Sequence, residues 1–180
     1  VTDSKGEIYT WEKLLLATGG SSRTLPFGGD QIIYYKTLSD YKRLRALTEK
    51  GKRFAVIGGG FIGSEIGAAL ALNKKEVVMI FPGKTIGDRV FPNDLAQFVS
   101  NFYQQKGVEL WPGEKVSGVE ARGNQFVVKT ASQRETLVDG VVAGIGITPN
   151  VALAEAAKLT VENGIVVDEF LRTSHPDIYA

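Results

Sequence analysis

The segment that most constrains the fold is residues 53–72, RFAVIGGGFIGSEIGAALAL. An apolar stretch suited to a buried strand runs into three glycines, and apolar residues then recur at helical spacing. A second apolar run, EVVMIF at residues 76–81, again has the character of a buried strand. Because parallel strands need a crossover between them, this order predicts a β-α-β unit with a parallel sheet.

Sequence patterns on both sides of this unit predict further strands and helices, so the predicted fold is α/β. We predict a buried strand over residues 13–18, a helix over residues 37–50, and three short strands near residues 115–121, 125–131 and 136–143 that form a small antiparallel excursion. A further helix should begin at Pro92 and end at Gly107, with Leu95, Phe98 and Phe102 on its inner face.

The glycine segment is the motif that carries chemistry. Gly58 would let the chain turn out of the strand, Gly60 would let the backbone approach a pyrophosphate, and Gly63 would let the helix lie close to the strand. The candidate cofactor-binding residues here are Gly58, Gly59, Gly60, Phe61, Ile62 and Gly63. The start of the helix offers free N–H groups to phosphates, so we predict a Rossmann-like dinucleotide site. A plain strand-to-helix turn is the alternative.

Composition excludes several other classes of function. A formal net charge of +1 without a basic cluster indicates neither nucleic acid nor a membrane surface as partner. The chain contains no cysteine and a single histidine, His175, so neither a redox dithiol nor a histidine-rich metal site can be built from it. We expect a cytoplasmic location, with an organelle as the alternative.

Five further segments carry a resemblance to a known family. LLLATGGSSRTLP (residues 14–26) and VAGIGITPN (residues 142–150) bracket the glycine motif, and RTSHPDIYA lies at residues 172–180. The combination resembles the FAD-dependent pyridine nucleotide oxidoreductases. With IFPGK and FYQQKGV, it is most similar to apoptosis-inducing factors and monodehydroascorbate reductases.

The resemblance implies a discontinuous architecture. Residues 1–36 would finish the first segment of a FAD domain, residues 37–148 would form the inserted NAD(P)H-binding domain, and residues 149–180 would begin the return to the FAD domain. We therefore expect the sequence to be part of a longer protein whose main FAD site lies elsewhere in the same chain.

The resemblance also shows that an expected acid is missing. NAD-binding sites of this type place a carboxylate near the end of the second strand to bind the ribose hydroxyls. Here Phe81 ends the strand, and Gly83 occupies the position where the similar proteins carry a glutamate. The resemblance favours NADH. Because the acid is missing and the cations Lys84 and Arg89 lie nearby, we expect weak discrimination against NADPH. Alternatively, both cations are solvated loop charges.

Three residues receive roles from the resemblance. Phe61 would lie beside the nicotinamide, although it could instead be a core residue at the start of the helix. Glu65, expected in the first turn, would reach the nicotinamide end and pair with a lysine of the FAD domain. The backbone of Gly146 would lie along the nucleotide.

The implied function is hydride transfer from NAD(P)H to FAD, followed by electron transfer to an unidentified small molecule or carrier protein. A disulfide reductase of the glutathione-reductase type and a redox-gated interaction protein remain alternatives. By itself this chain should bind nucleotide without turnover, and apolar surface left for the FAD domain could support a homodimer.

Overall fold

The computed structural model describes residues 1–180, which divide into two compact units. One unit combines residues 1–21 with residues 147–180, and the other is residues 22–146. The helices are α1 (Leu38–Lys50), α2 (Phe61–Leu72), α3 (Asn93–Gln105) and α4 (Ala152–Ala156), with a 3-10 turn at Gly29–Gln31. The strands are β1 (Leu14–Leu15), β2 (Gly20–Ser22), β3 (Ile32–Tyr34), β4 (Arg53–Ile57), β5 (Glu76–Phe81), β6 (Glu109–Pro112), β7 (Val116–Arg122), β8 (Gln125–Thr130), β9 (Glu135–Val138), β10 (Gly140–Ala143), β11 (Ile147–Pro149), β12 (Val161–Glu162), β13 (Gly164–Ile165) and β14 (Ile178–Tyr179).

A five-stranded parallel sheet organises the unit of residues 22–146. Its strand order is β3-β10-β4-β5-β6, and each neighbouring pair is parallel. The predicted α/β fold with a parallel sheet is thus confirmed. The β-α-β unit is formed by β4, α2 and β5, and the bounds of β5 agree with the apolar run that predicted it.

Both faces of this sheet are covered, which explains why its strands are apolar almost throughout. Val77, Met79 and Phe81 of β5 pack toward the helices, in a core that includes residues of α1 and α2. Val78 and Ile80 face the other way and pack with residues of β7, β8 and β9. Those three strands form the antiparallel sheet that the sequence predicts.

The inner faces expected for the first two helices are only partly buried, since Leu38, Tyr41 and Ile62 are exposed. The Thr37 side chain accepts a hydrogen bond from the Asp40 N–H, and Asp40 in turn caps the backbone of Thr37, so α1 begins with a capping box. In α2, a Cβ on Gly67 would lie 2.8 Å from the Met79 Sδ atom. The absence of a side chain at this position lets α2 lie against β5.

The predicted inner face of α3 is wrong. Leu95, Phe98 and Phe102 are 44%, 65% and 46% exposed, whereas Ala96 and Ser100 are buried. Ser100 is accommodated there because its hydroxyl accepts a hydrogen bond from the Ile86 N–H and donates one to the Ala96 carbonyl. Satisfied hydrogen bonds allow a polar residue to take a core position.

Two strand predictions also need correction, and one strand was missed. The apolar run at residues 13–18 contributes only the two-residue β1, in which Leu15 is 65% exposed. The segment predicted as one strand near residues 136–143 divides into β9, in the antiparallel sheet, and β10, in the parallel sheet. The edge strand β6 was not predicted.

The other unit is smaller and has its own core. Strands β1 and β14 pair in parallel, and β12 and β13 form an antiparallel pair. The buried hydrophobic residues of its core are Ala154, Leu159 and Ile178. No helix of the structure combines the length and the apolar character that crossing a membrane requires.

Candidate functional site

A cleft of about 390 Å³ lies within residues 22–146, where β4, β5 and β10 end. Its walls come from the glycine turn after β4, the loop after β5 and the segment after β10. In open parallel α/β sheets, ligands bind outside the carboxyl ends of the strands. The cleft therefore has the position expected for the dinucleotide site.

The glycine turn is shaped to receive a ligand backbone. Gly58 has a φ of +112°, and a Cβ there would collide with the Gly144 carbonyl. At Gly63 a Cβ would lie 2.9 Å from the Gly58 carbonyl carbon, so α2 begins in direct contact with the turn. A Cβ on Gly60, in contrast, would meet nothing within 4 Å. The protein thus leaves the approach to the start of α2 open.

The electrostatics at this point favour an anion. The first N–H groups of α2 have no intrahelical acceptor, and the helix dipole adds positive potential at the same place. The turn before the helix is held by backbone hydrogen bonds from Gly58 to Ile80 (2.9 Å) and from Gly144 to Ile57 (2.9 Å). These groups fit the pyrophosphate of a dinucleotide.

The loop after β5 also lines the cleft and is held by hydrogen bonds to two other segments. The Gly87 N–H donates to the Gly59 carbonyl (2.8 Å), and the Gly83 carbonyl accepts from the Gly113 N–H (2.9 Å). Between them the Ile86 side chain is only 1% exposed. The loop is therefore fixed relative to the glycine turn.

Most of the sequence-predicted site residues line this one cleft. Those that do are Gly58, Gly59, Gly60, Phe61, Phe81, Gly83, Arg89 and Gly146. Those that do not are Ile62, Gly63, Glu65 and Lys84. The sequence did not indicate six further lining residues, namely Pro82, Gly87, Asp88, Val90, Gly144 and Ile145. The sequence does offer a signal for Asp88, because this acid follows shortly after Gly83, the position at which the expected acid is missing.

Phe81 ends β5 and borders the cleft, but its side chain is buried. Its side chain is 2% exposed and belongs to the core on the helix side of the sheet. A Cβ on Gly59 would lie 2.9 Å from the Phe81 ring, so the ring packs directly against the glycine turn. Phe81 therefore shapes the cleft by packing.

Phe61 is not a core residue. Its ring is 57% exposed at the cleft and meets Phe91 edge to face, with 6.1 Å between ring centroids. The alternative that Phe61 is buried at the start of the helix is wrong. An exposed aromatic ring held by a neighbour is suited to contact a planar ligand group.

Glu65 lies one residue beyond the first turn of α2, which contains no acid, so the expected first-turn position is wrong. The carboxylate is exposed and near Tyr103 of α3, whose hydroxyl donates to the Ser64 carbonyl (3.0 Å). Burial raises the pKa of Tyr103, the hydrogen bond to Ser64 opposes this, and the charge of Glu65 raises it further. Since the phenol stays neutral, this contact between α2 and α3 persists at physiological pH.

Known proteins resemble the chain along nearly its whole length. It is 35% identical over 185 residues to monodehydroascorbate reductase, seedling isozyme, of Cucumis sativus, which covers 97% of this chain and 43% of that protein. The crystal structure of the ferredoxin reductase for the CYP199A2 system of Rhodopseudomonas palustris aligns with a TM-score of 0.90 at 29% identity, covering 98% of this chain and 45% of that one. The water-forming NADH oxidase of Lactobacillus brevis, solved with NADH bound, aligns with a TM-score of 0.85 at 26% identity, covering 95% and 39%.

The chain spans less than half the length of the curated relatives it matches. The family model described as pyridine nucleotide-disulphide oxidoreductase matches residues 1–180. Together with the relatives above, this match shows that the chain belongs to the pyridine nucleotide-disulphide oxidoreductase family.

Proposed function

We propose that this chain is the NAD(P)H-binding part of a FAD-dependent oxidoreductase. The observation that carries the proposal is the open glycine turn at the start of α2, inside a cleft at the carboxyl ends of β4, β5 and β10. The volume of this cleft lies within the range of small-molecule sites, about 300–1,000 Å³. Membership of the family supports the same reading.

Different residues of the cleft would bind different parts of the dinucleotide. The N–H groups at the start of α2 would bind the pyrophosphate, with Gly60 allowing the close approach. The exposed Phe61 ring would pack against the nicotinamide, and the Gly146 backbone would border the nucleotide. When bound, NAD(P)H would supply the hydride for reduction of FAD. The contribution of the protein is to orient the nicotinamide for that transfer.

The FAD and the electron acceptor enter the proposal through the family, and no residue of this chain is assigned to either. Relatives include a monodehydroascorbate reductase and a ferredoxin reductase, so we propose a small molecule or an electron-carrier protein as acceptor. The homodimer and the cytoplasmic location remain proposals too. Sedimentation velocity of the chain tests the first, and fractionation of the source cells tests the second.

Substitution of Gly60 tests nucleotide binding directly. A leucine at this position would project into open space in the cleft, so we expect Gly60→Leu to abolish binding of both NADH and NADPH while the protein stays folded. The control is Gly118→Leu in β7, which also adds a side chain where nothing lies within 4 Å but does not line the cleft. Calorimetric titration measures binding, and circular dichroism checks folding. Unchanged binding in Gly60→Leu would contradict the proposal.

A further inference from the structure

The space next to Gly83 is filled by another residue of the same loop. A Cβ built on Gly83 would lie 2.6 Å from the Cγ atom and 2.8 Å from the Oδ1 atom of Asp88. The Asp88 carboxylate therefore occupies the position that a side chain at residue 83 would take. Gly83 comes 20 residues after Gly63, the spacing at which dinucleotide sites of this type carry a ribose-binding acid.

Asp88 is available to bind a ligand. The residue is exposed and lines the cleft. Its carboxylate takes part in none of the salt bridges or side-chain hydrogen bonds of the structure, unlike Asp40, Asp139 and Asp168. Both oxygens thus remain free to accept hydrogen bonds.

The backbone that carries Asp88 is held in place. Gly87, the preceding residue, donates its N–H to Gly59 in the glycine turn, and its carbonyl accepts from Val90 (2.9 Å) and Phe91 (2.8 Å). Gly87 has a φ of +72°, and a Cβ there would overlap the Phe91 ring. This anchoring fixes Asp88 relative to the site proposed for the pyrophosphate, so little ordering would be needed when a ligand binds.

We propose that Asp88 is the specificity-determining acid of this cleft and binds the 2′- and 3′-hydroxyls of the adenosine ribose. The inference rests on the proposed function, because it assumes that a nicotinamide dinucleotide occupies the cleft. A carboxylate accepts hydrogen bonds from two neighbouring hydroxyls, whereas the 2′-phosphate of NADPH removes one donor and adds like charge. The cleft should therefore select NADH, in place of the weak discrimination expected from the absence of an acid at residue 83.

Removal of this one charge is the first test. Asp88→Asn keeps the size of the side chain, and titrations with NADH and NADPH at matched ionic strength measure both affinities. We expect NADH binding to weaken by about tenfold or more, as for loss of a hydrogen bond to a charged group. NADPH binding should stay the same or tighten, because the negative charge that repels the 2′-phosphate is removed while the nearby Arg89 remains. Asp30→Asn, outside the cleft, is the control for the change in net charge and should leave both affinities unaltered.

The outcomes separate this inference from the proposed function. Equal weakening of NADH and NADPH by Asp88→Asn, or no change in either, would overturn the role of Asp88 while leaving dinucleotide binding intact. A chain that binds neither nucleotide, even without substitutions, would overturn the proposed function and this inference with it.

Exchange of the two residues gives a second test that a purely structural role would not satisfy. In Gly83→Glu alone, the new side chain meets the Asp88 carboxylate, so NADH binding should weaken. Asp88→Gly alone should weaken it as well, because the acid is lost. The double variant Gly83→Glu/Asp88→Gly restores one carboxylate in the same space and should recover NADH binding and its preference over NADPH. Additive losses in the double variant would refute the assignment.

Discussion

Gly60 and Gly63 belong to one motif but have different surroundings. Gly60 borders the open cleft, whereas Gly63 is buried against the backbone of Gly58. The motif in the sequence indicates where the chain turns, but not which glycine is required for packing and which for the ligand. Only the distances to neighbouring atoms separate these two requirements.

Alanine substitutions should therefore affect the two glycines differently. In Gly63→Ala the new Cβ would contact main-chain atoms of Gly58, which cannot move aside as a flexible side chain can. We expect the free energy of unfolding to fall by about 1–3 kcal/mol, the usual cost of overpacking. Gly60→Ala, at the N-cap of α2, should change it by no more than about 1 kcal/mol. Urea denaturation measures both, and an equal loss of stability in the two variants would contradict this explanation.

Asp88 illustrates what local sequence reasoning missed in the site. The turn after β4 was predictable because its glycines follow one another along the chain. The approach of Asp88 to Gly83 depends instead on the hydrogen bond from Gly87 to Gly59, which joins residues from two different connections of the sheet. The sequence shows the missing acid at residue 83, but the position of its replacement depends on tertiary contacts.

Helices and strands were predictable where the apolar pattern reflects burial. β5 agrees with its apolar run because both of its faces are covered, so nearly every residue is apolar. In α3 the pattern misled, since Phe98 is exposed while Ser100 is buried and bonded to the Ile86 N–H. Hydrophobic periodicity does not detect a buried serine whose partner lies in a loop.

Asp139, between β9 and β10, joins elements that are distant in sequence. Its carboxylate accepts hydrogen bonds from the N–H groups of Lys52 (2.7 Å) and Arg53 (2.9 Å) and from the Gln125 amide (2.8 Å). Partial burial on its own would raise the pKa of Asp139, but these hydrogen bonds outweigh it and the pKa lies below its ordinary value of 3.8. The charged form is thus favoured in the folded protein.

Stability should depend on pH through this residue. Because the folded pKa is lowered, the contribution of Asp139 is complete above the unfolded pKa and is lost as the pH falls through the folded pKa. We expect Asp139→Asn to lower the free energy of unfolding by about 1–3 kcal/mol at pH 7. The difference from the unsubstituted chain should shrink as the pH falls below about 4. Urea denaturation at pH 7, 5 and 3 tests this, with Asp30→Asn as the control; a difference independent of pH would contradict it.

The unit of residues 22–146 contains both large cores and every residue that lines the cleft. The sequence predicts a nucleotide domain of residues 37–148, a boundary chosen from family resemblance that leaves out β3. In the structure β3 pairs with β10, and its Ile32 and Ile33 are 2% and 1% exposed in the two cores on opposite faces of the sheet. A short strand such as IIY gives little periodic signal, so its membership of this sheet could not be predicted from pattern alone.

Two fragments of the chain, residues 22–146 and residues 37–148, can test which boundary defines the nucleotide domain. We expect residues 22–146 to fold by themselves and to bind NADH as tightly as the 180-residue chain does, because the cleft and its supporting cores lie inside them. Residues 37–148 lack β3 and lose the burial of Ile32 and Ile33, worth roughly 1.5–3 kcal/mol for each side chain. This second fragment should therefore have a lower urea midpoint and expose β10 as a new sheet edge that is prone to association. Equal stability of the two fragments, with equal affinity for NADH, would show that β3 is dispensable and that the boundary at residue 37 is sufficient for the nucleotide domain.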